Sequence, residues 1–371
     1  MGSSLLRHSL RAGSGAPKPD DWRWQLRASI RGARELGRAL NLSEAELEGA
    51  LAAEASGLPV AVTPYYFGLI DQQDPDCPVR RQVVPTILET RESKGDLRDP
   101  LGEDGRTPVP HLVHRYPDRA LLLSTDRCAV YCRFCTRSRW VGQGRTPSLE
   151  QLRPSLEYLR AHPAIRDVIL SGGDPLVMST GRLVNLVAAV RSVQSVETIR
   201  LATRAPVVLP QRIGPLLVHA LRPYHPIWVM THFNHPRELT PRAEAACHTL
   251  ADAGFPVNNH TVLLKGVNDD SEILAQLFRG LVRCRVRPYY LLQADPVRGS
   301  GHLRTPLRRG IALMERLQGR LSGIALPKFI VDTPGGHGKV EVGPDTIVSR
   351  SAGVTRLRAP TGVEVEYFDP C

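Results

Sequence analysis

The sequence predicts an α/β fold: a partial, TIM-like (β/α)6 barrel with a mainly helical N-terminal extension and a small β-rich C-terminal appendage. Three observations predict it. Short apolar runs recur roughly every thirty residues, at 121–124, 168–171, 199–202, 227–231, 261–264 and 289–292, with helix-like segments at 149–161, 181–193, 209–222, 240–253 and 271–284 between them. Repeated strand-then-helix units of this length argue for parallel strands joined by crossover helices. Residues of marked chemical character fall just past the strand carboxyl ends, where barrels of this kind carry their function. After Asp332 the texture changes to short alternating segments between Gly and Pro turns, at 340–342, 346–350, 354–357 and 363–367, the pattern of small β-strands. A doubly wound open sheet is the structural alternative.

Taken in order, residues 1–20 are rich in Ser, Gly and Pro and are expected to be disordered. Residues 21–110 form the extension. A stripe of Leu26, Ile30, Ala33, Leu36 and Leu40 predicts helix over 21–55, and Ser43 followed by Glu46 predicts a capping box. Thr63-Pro64 and Asp74-Pro75 mark turns, and 90–110, with its charges, Gly and Pro, reads as a long surface loop. The barrel is assigned to 111–332, and 333–371 to a glycine loop plus the β-rich segment.

Bulk properties bound the function. The chain has 371 residues, 42% hydrophobic and 23% charged, enough for a substantial core. No apolar run approaches the ~18 residues of a membrane helix. Leu6 breaks the myristoylation pattern that Gly2 begins, and Arg7 and Arg11 interrupt any secretory core. The net charge of +11 is carried by scattered arginine and only five lysines, without a dense basic run, which argues against a nucleic-acid groove. Seven cysteines without a regular framework point to a reducing cytoplasm rather than a disulfide scaffold.

Cys128, Cys132 and Cys135 lie within eight residues, directly after the first strand of the series. A zinc site would want a fourth nearby ligand from a second Cys or His pair, and none is in sight. A four-iron cluster can be held by three thiolates, which leaves one iron open. Buried packing cysteines are the bland alternative. Ser171-Gly172-Gly173-Asp174 ends the second strand; its glycines allow close backbone approach, and Asp174 can accept from an ammonium group. In Asp332-Thr333-Pro334-Gly335-Gly336-His337-Gly338-Lys339 a glycine-rich loop ends in lysine. The Walker pattern fails at Val340, but such a lysine suits a Schiff base.

The spacing of the three cysteines resembles that of radical S-adenosylmethionine (SAM) enzymes. From Asp21 to about Phe368 the chain resembles the lysine 2,3-aminomutase family. The resemblance rests on Asp21-Trp22-Arg23-Trp24-Gln25, Thr63-Pro64-Tyr65-Tyr66, His114-Arg115-Tyr116-Pro117-Asp118-Arg119, the cysteine segment with Thr136-Arg137, residues 170–174, 204–212, Thr231-His232-Phe233-Asn234-His235-Pro236, Gly266-Val267-Asn268-Asp269, Arg287-Pro288-Tyr289-Tyr290 and 334–339.

That resemblance implies a radical SAM partial barrel with a [4Fe–4S] cluster on Cys128, Cys132 and Cys135. It implies SAM beside Ser171, Gly172, Gly173 and Asp174 with His232 as a further contact, and pyridoxal 5′-phosphate (PLP) on Lys339. Arg115 and Arg119 become candidates for the PLP phosphate. Arg137 matches the arginine that pairs with the substrate carboxylate, and Asp295 and Asp332 match the aspartates that hold the ε-ammonium of lysine. The implied activity is migration of an amino group from C2 to C3 of a basic L-α-amino acid, lysine first and arginine second. Glutamate is disfavoured because two carboxylates would repel a third. A radical SAM enzyme modifying protein or RNA is the alternative from another class. The implied partners are the amino acid and a reductant such as flavodoxin or ferredoxin, and a homo-oligomer is compatible with the resemblance.

Three departures stand out. His260 replaces a glutamine that contacts the SAM side in the family. His337 interrupts a loop usually made of four glycines. Asp270, and a C-terminus ending at Cys371 without a cysteine cluster, remove the family's zinc ligands, so zinc is not expected.

Overall fold

The computed structural model describes residues 18–351 and 354–368. The first seventeen residues of the segment expected to be disordered lie outside the described residues. Residues 18–20 are tied down: the Pro19 carbonyl accepts from Gln25 at 2.8 Å, and Asp20 pairs with Arg242.

The extension is built of short pieces: α1 (Trp22–Arg27), β1 (Ile30–Arg31), α2 (Ala33–Leu40), α3 (Glu44–Ala55), β2 (Ala61–Val62), α4 (Pro64–Phe67) and α5 (Pro78–Arg81). The expected helix over 21–55 is broken into three because Gly32 and Asn41 take positive φ values of 81° and 51°. The predicted capping box is present on α3. Ser43 Oγ accepts from the Glu46 amide at 3.3 Å, and Glu46 accepts from the Ser43 amide at 3.0 Å. Such a cap contributes about 1 kcal/mol. Glu46 also holds the buried Arg80 at 2.7 Å, which pins α3 to α5.

The remaining elements are β3 (Leu112–Tyr116), β4 (Arg119–Thr125), α6 (Arg153–Ala161), β5 (Asp167–Gly172), α7 (Thr180–Arg191), β6 (Thr198–Ala202), α8 (Ala205–Val208), α9 (Pro215–Leu221), β7 (Ile227–Thr231), α10 (Pro241–Asp252), β8 (Val257–Leu263), α11 (Ser271–Arg283), β9 (Val286–Gln293), α12 (Leu307–Leu317), β10 (Lys328–Thr333), β11 (Gly338–Glu341), β12 (Ile347–Ser351), β13 (Val354–Arg358) and β14 (Glu364–Phe368). Nine strands form one sheet in the order β11-β10-β9-β8-β7-β6-β5-β4-β3. The order follows the sequence without reversal, so the sheet is wound in one direction. A doubly wound sheet would reverse at a switch point. Strands β4 to β10 are parallel, and β3 and β11 are antiparallel edges. The two ends meet through side chains, since Arg115 on β3 donates to both carboxylate oxygens of Asp332 on β10 at 2.8 and 3.1 Å. The barrel is therefore closed by an ion pair rather than by a backbone ladder.

The six expected barrel strands correspond to β4–β9, and β10 extends them. Strand β8 starts four residues earlier than its apolar run suggested, because the buried Asn258 and Asn259 belong to it. Asn259 has partners inside: it accepts from the Phe233 amide at 2.6 Å and donates to the Phe233 carbonyl at 3.0 Å. The helix expected over 209–222 is confined to α9, because Pro210, Gly214 and Pro215 punctuate the segment. The C-terminal appendage is the antiparallel sheet β12-β13-β14, while β11, which carries Lys339, belongs to the main sheet.

Candidate active site

The cysteines occupy the loop that follows β4, and the extension grips this loop from outside. The Ala61 carbonyl accepts from the Tyr131 amide at 3.2 Å, and the Gln82 carbonyl accepts from the Arg133 amide at 2.9 Å. The buried Arg133 guanidinium is bound by Glu89 at 2.5 Å and donates to the Pro59 carbonyl at 3.0 Å. Asp126 ties the loop to the segment after it by accepting from the Arg145 amide at 2.9 Å. Burial, then the neighbouring Cys135, Asp174 and Cys132, pushes the Cys128 thiol well up; burial and then Cys132 push Cys135 up to about 11. The three sulfurs are thus close enough in one loop for Cys132 and Cys135 to act on Cys128, and Cys132 on Cys135. Among the described residues, no three His, Cys, Asp or Glu side chains converge where one metal ion could sit. Three soft sulfur donors in one short loop fit a multi-iron cluster, whose positive charge would make such thiols ionise.

Arg204, a landmark of the resemblance to which no role was assigned, touches the cysteine loop. It lies between β6 and α8 and donates from Nη1 to Cys132 Sγ at 2.8 Å.

In the Ser171–Asp174 turn, the glycines serve packing within the protein. A Cβ at Gly172 would lie 2.6 Å from the Thr125 carbonyl oxygen, and one at Gly173 would lie 2.3 Å from that of Arg127. They press the turn against the cysteine loop. Asp174, expected to accept from a ligand ammonium, is instead committed to the chain. It accepts from the Leu176 amide at 2.9 Å, Thr203 Oγ1 at 2.7 Å and the Arg204 amide at 2.8 Å, tying the end of β5 to that of β6. Ser171 Oγ accepts from Arg137 Nη1 at 3.4 Å.

His232 follows β7. Its ring lies against Phe134, and among the described residues its buried Nε2 has no partner. His260 on β8 stacks on Tyr289 and Tyr290, and its Nε2 is likewise buried and unpartnered. Burial, then Arg204 and His260, lowers the pKa of His232 well below the usual range; burial, then Lys339 and Arg200, lowers that of His260 to about 3. Both rings are neutral near pH 7. Buried polar atoms without partners are rare, and two on histidines that act on each other electrostatically, one of them against Phe134 of the cysteine loop, fit a polar ligand such as SAM.

The second half of the site gathers on β3, β9, β10 and β11. Asp332 and Lys339 are opposite each other on the β10–β11 hairpin and form a close ion pair. Asp332 also holds Arg115, whose Nη1 donates to the Leu101 carbonyl at 3.2 Å. Arg119 stacks over Tyr116 and pairs with Asp118 at 2.9 Å. Asp295 lies just past β9, and among the described residues its carboxylate has no hydrogen-bond donor. Burial, then Asp332, raises it to about 7, against the pull of Lys339, Arg115 and Arg137. Two neighbouring carboxylates, one of them without a hydrogen-bond donor among the described residues, make a receptor for a cation.

Arg137 is engaged by a residue the sequence reading missed. Its Nε and Nη2 donate to the buried Glu103 at 3.1 and 2.6 Å. Burial raises the Glu103 pKa, but Arg137 and Arg139 outweigh it and hold the carboxyl below its usual value. A guanidinium has two edges that can grip a carboxylate; Glu103 takes the Nε–Nη2 edge, and on the other Nη1 makes only the long contact to Ser171 Oγ at 3.4 Å. Glu103 belongs to the stretch expected to be a surface loop; most of that stretch is exposed, but Pro100, Leu101 and Glu103 within it are buried. The Pro100 carbonyl accepts from the Gly335 amide at 3.0 Å, and Arg106 donates to the Gly335 carbonyl at 3.0 Å. The loop is a wall of the site, and charges without a helical or strand period gave no sign of it.

The lysine hairpin explains its own glycines. Gly335, Gly336 and Gly338 have φ of 79°, 77° and 116°, which only glycine adopts freely. His337 is exposed and is absent from the positive-φ residues, so this departure falls where a side chain fits.

Comparison with known proteins agrees with this layout. The radical SAM superfamily matches residues 122–278, and the lysine-2,3-aminomutase family description matches 314–371. The L-lysine 2,3-aminomutase of Clostridium subterminale is 48% identical over 95% of this chain and 84% of its own length. That of Fusobacterium nucleatum is 47% identical over 95% and 83%. The glutamate 2,3-aminomutase of Clostridioides difficile is 36% identical over 94% and 83%. Likeness at this level, spanning barrel and lysine hairpin together, establishes that the chain is an isomerase, an aminomutase belonging to the lysine 2,3-aminomutase family of radical SAM enzymes.

Proposed function

We propose that the protein converts L-lysine to its β-isomer, moving the amino group from C2 to C3 while one hydrogen moves from C3 to C2. The observation that carries this reading is the pair Asp295 and Asp332, close enough that Asp332 raises the pKa of Asp295, with Arg137, two residues past Cys135, also within electrostatic reach. When bound, a [4Fe–4S] cluster and SAM supply a carbon radical, and PLP supplies a carbonyl that carries the migrating nitrogen.

Cys128, Cys132 and Cys135 hold the cluster, and the extension keeps their loop in shape. His232 and Ser171 face SAM; His260 stands where the family uses glutamine and offers a neutral imidazole nitrogen. Lys339 anchors PLP, with Arg115 and Arg119 for its phosphate. Arg137 presents the edge that Glu103 leaves open to the substrate carboxylate, and Glu103 fixes the plane of that guanidinium. Asp295 and Asp332 hold the ε-ammonium. A cation placed between them favours ionised Asp295, so binding energy from the far end of the substrate orients the reacting carbons. A glutamate side chain would meet two carboxylates there and be repelled.

The electron must come from outside, and we assign it to a low-potential carrier such as flavodoxin or ferredoxin in the cytoplasm. An anaerobic assay of reconstituted protein with L-lysine, L-arginine and L-glutamate side by side tests the reading. β-Lysine is the expected product, and turnover of arginine alone would move the assignment to β-arginine. No β-isomer from either basic amino acid would overturn the substrate assignment. Borohydride reduction followed by peptide mapping should place the PLP adduct on Lys339; an unmodified Lys339 would overturn that role.

A further inference from the structure

Arg204 is almost wholly buried, and nearly every donor of its guanidinium is accounted for. Nε donates to the His232 carbonyl at 3.3 Å, and Nη2 reaches Glu238 at 2.8 Å, Gln82 at 2.5 Å and Tyr66 Oη at 3.1 Å. Glu238 is fully enclosed and is itself saturated: Tyr66 donates to it at 2.6 Å, and the Asn234 and His235 amides at 2.6 and 3.0 Å. Gln82 also accepts from Asn234 at 2.9 Å. Among the described residues, the only hydrogen-bond partner of Nη1 is Cys132 Sγ, at 2.8 Å. A buried ion pair is expensive to build and adds little stability over apolar packing, so one whose remaining donor meets a cluster ligand calls for a use. The network fixes the guanidinium in position and in plane, and Glu238 balances its charge at the far side, so the positive end of the pair points at the sulfur.

We propose that Arg204 sets the reduction potential of the cluster through a hydrogen bond from Nη1 to Cys132 Sγ. It acts through Cys132 and is a positioning residue. Hydrogen bonds to cluster sulfurs draw charge from them and favour the reduced state, which carries one more electron. The inference rests on the cluster assignment above.

Wild-type, Arg204→Lys and Arg204→Gln proteins are reconstituted, their iron and sulfide counted, and their clusters poised without SAM by dithionite through mediators. Electron paramagnetic resonance then reads the reduced fraction. At the potential where wild type is half reduced, Arg204→Gln should show a roughly tenfold lower ratio of reduced to oxidised cluster, equal to about 59 mV for one electron. Arg204→Lys should fall between. An unchanged ratio in a Gln variant with full iron content would overturn the inference and leave the cluster assignment standing. A wild-type protein that binds no iron would overturn both. If a variant loses its cluster, the wild type alone decides. With 15N-guanidino arginine, electron–nuclear double resonance of the reduced cluster should show a nitrogen coupling, and its absence would refute the bond.

Discussion

Replacing Asp295 by Asn should make the ligand-free protein more stable and the enzyme worse. The carboxyl is raised from 3.8 to about 7 by burial and by Asp332. A shift of that size corresponds to about 4 kcal/mol of differential interaction at high pH. The folded value lies above the unfolded one, so the ionised form destabilises the fold. Wild type and variant should therefore be alike below about pH 4, diverge as pH rises, and reach a constant difference above about pH 7. About 2–3 kcal/mol of the difference should develop between pH 5 and pH 8. Urea unfolding of ligand-free protein at those two pH values measures it. Binding has the opposite sign: an ammonium prefers the ionised carboxylate, so wild-type KM for lysine should fall as pH rises through 7, and Asp295→Asn should raise KM and flatten that profile. A stability difference equal at both pH values, or a variant that keeps the wild-type KM profile, would refute the cation-receptor reasoning.

Other perturbations address the frame of the site. Arg133→Met would leave Glu89 buried and unpaired, at a cost of about 3–5 kcal/mol; thermal unfolding measures it, and the cysteine loop should take up less iron. Gly336→Ala would drive a Cβ to within 2.3 Å of the Leu101 carbonyl oxygen at a φ of 77°. It should weaken PLP retention, read by absorbance after gel filtration, whereas His337→Gly should retain PLP as wild type does. Glu103→Gln would free one edge of Arg137 and remove its brace; KM should rise with little change in Tm, and an unaltered KM would deny Glu103 that role.

Much of this arrangement was legible in residue order. The period of the strands gave the barrel, because parallel strands buried on both faces read as compact apolar runs. The three cysteines and Lys339 stood out because their chemistry is rare at such density. What escaped notice did so for physical reasons. Asn258 and Asn259 hid the start of β8, since a polar residue with internal partners looks the same in sequence as a solvated one. Glu103 and Leu101 act from an irregular loop, where no period marks burial. Arg204 was one arginine among many, and only its place at the end of β6 puts it on a sulfur. Asp174 looked like a ligand acceptor because nothing local shows that Thr203 and Arg204, just past the next strand, donate to it along with the nearby Leu176 amide.

The hairpin that sets Lys339 opposite Asp332 has a consequence for the order of events. An uncombined Lys339 is itself an alkyl ammonium, and it lies on the carboxylate proposed for the substrate's tail. On the proposed roles, Lys339 relinquishes that charge when it joins its cofactor covalently, and Asp332 is left with Arg115 and a place for a second cation. The site thus carries a stand-in for its own substrate. An enzyme molecule lacking its cofactor would keep the amino acid out, and one that has it would be ready to admit the next.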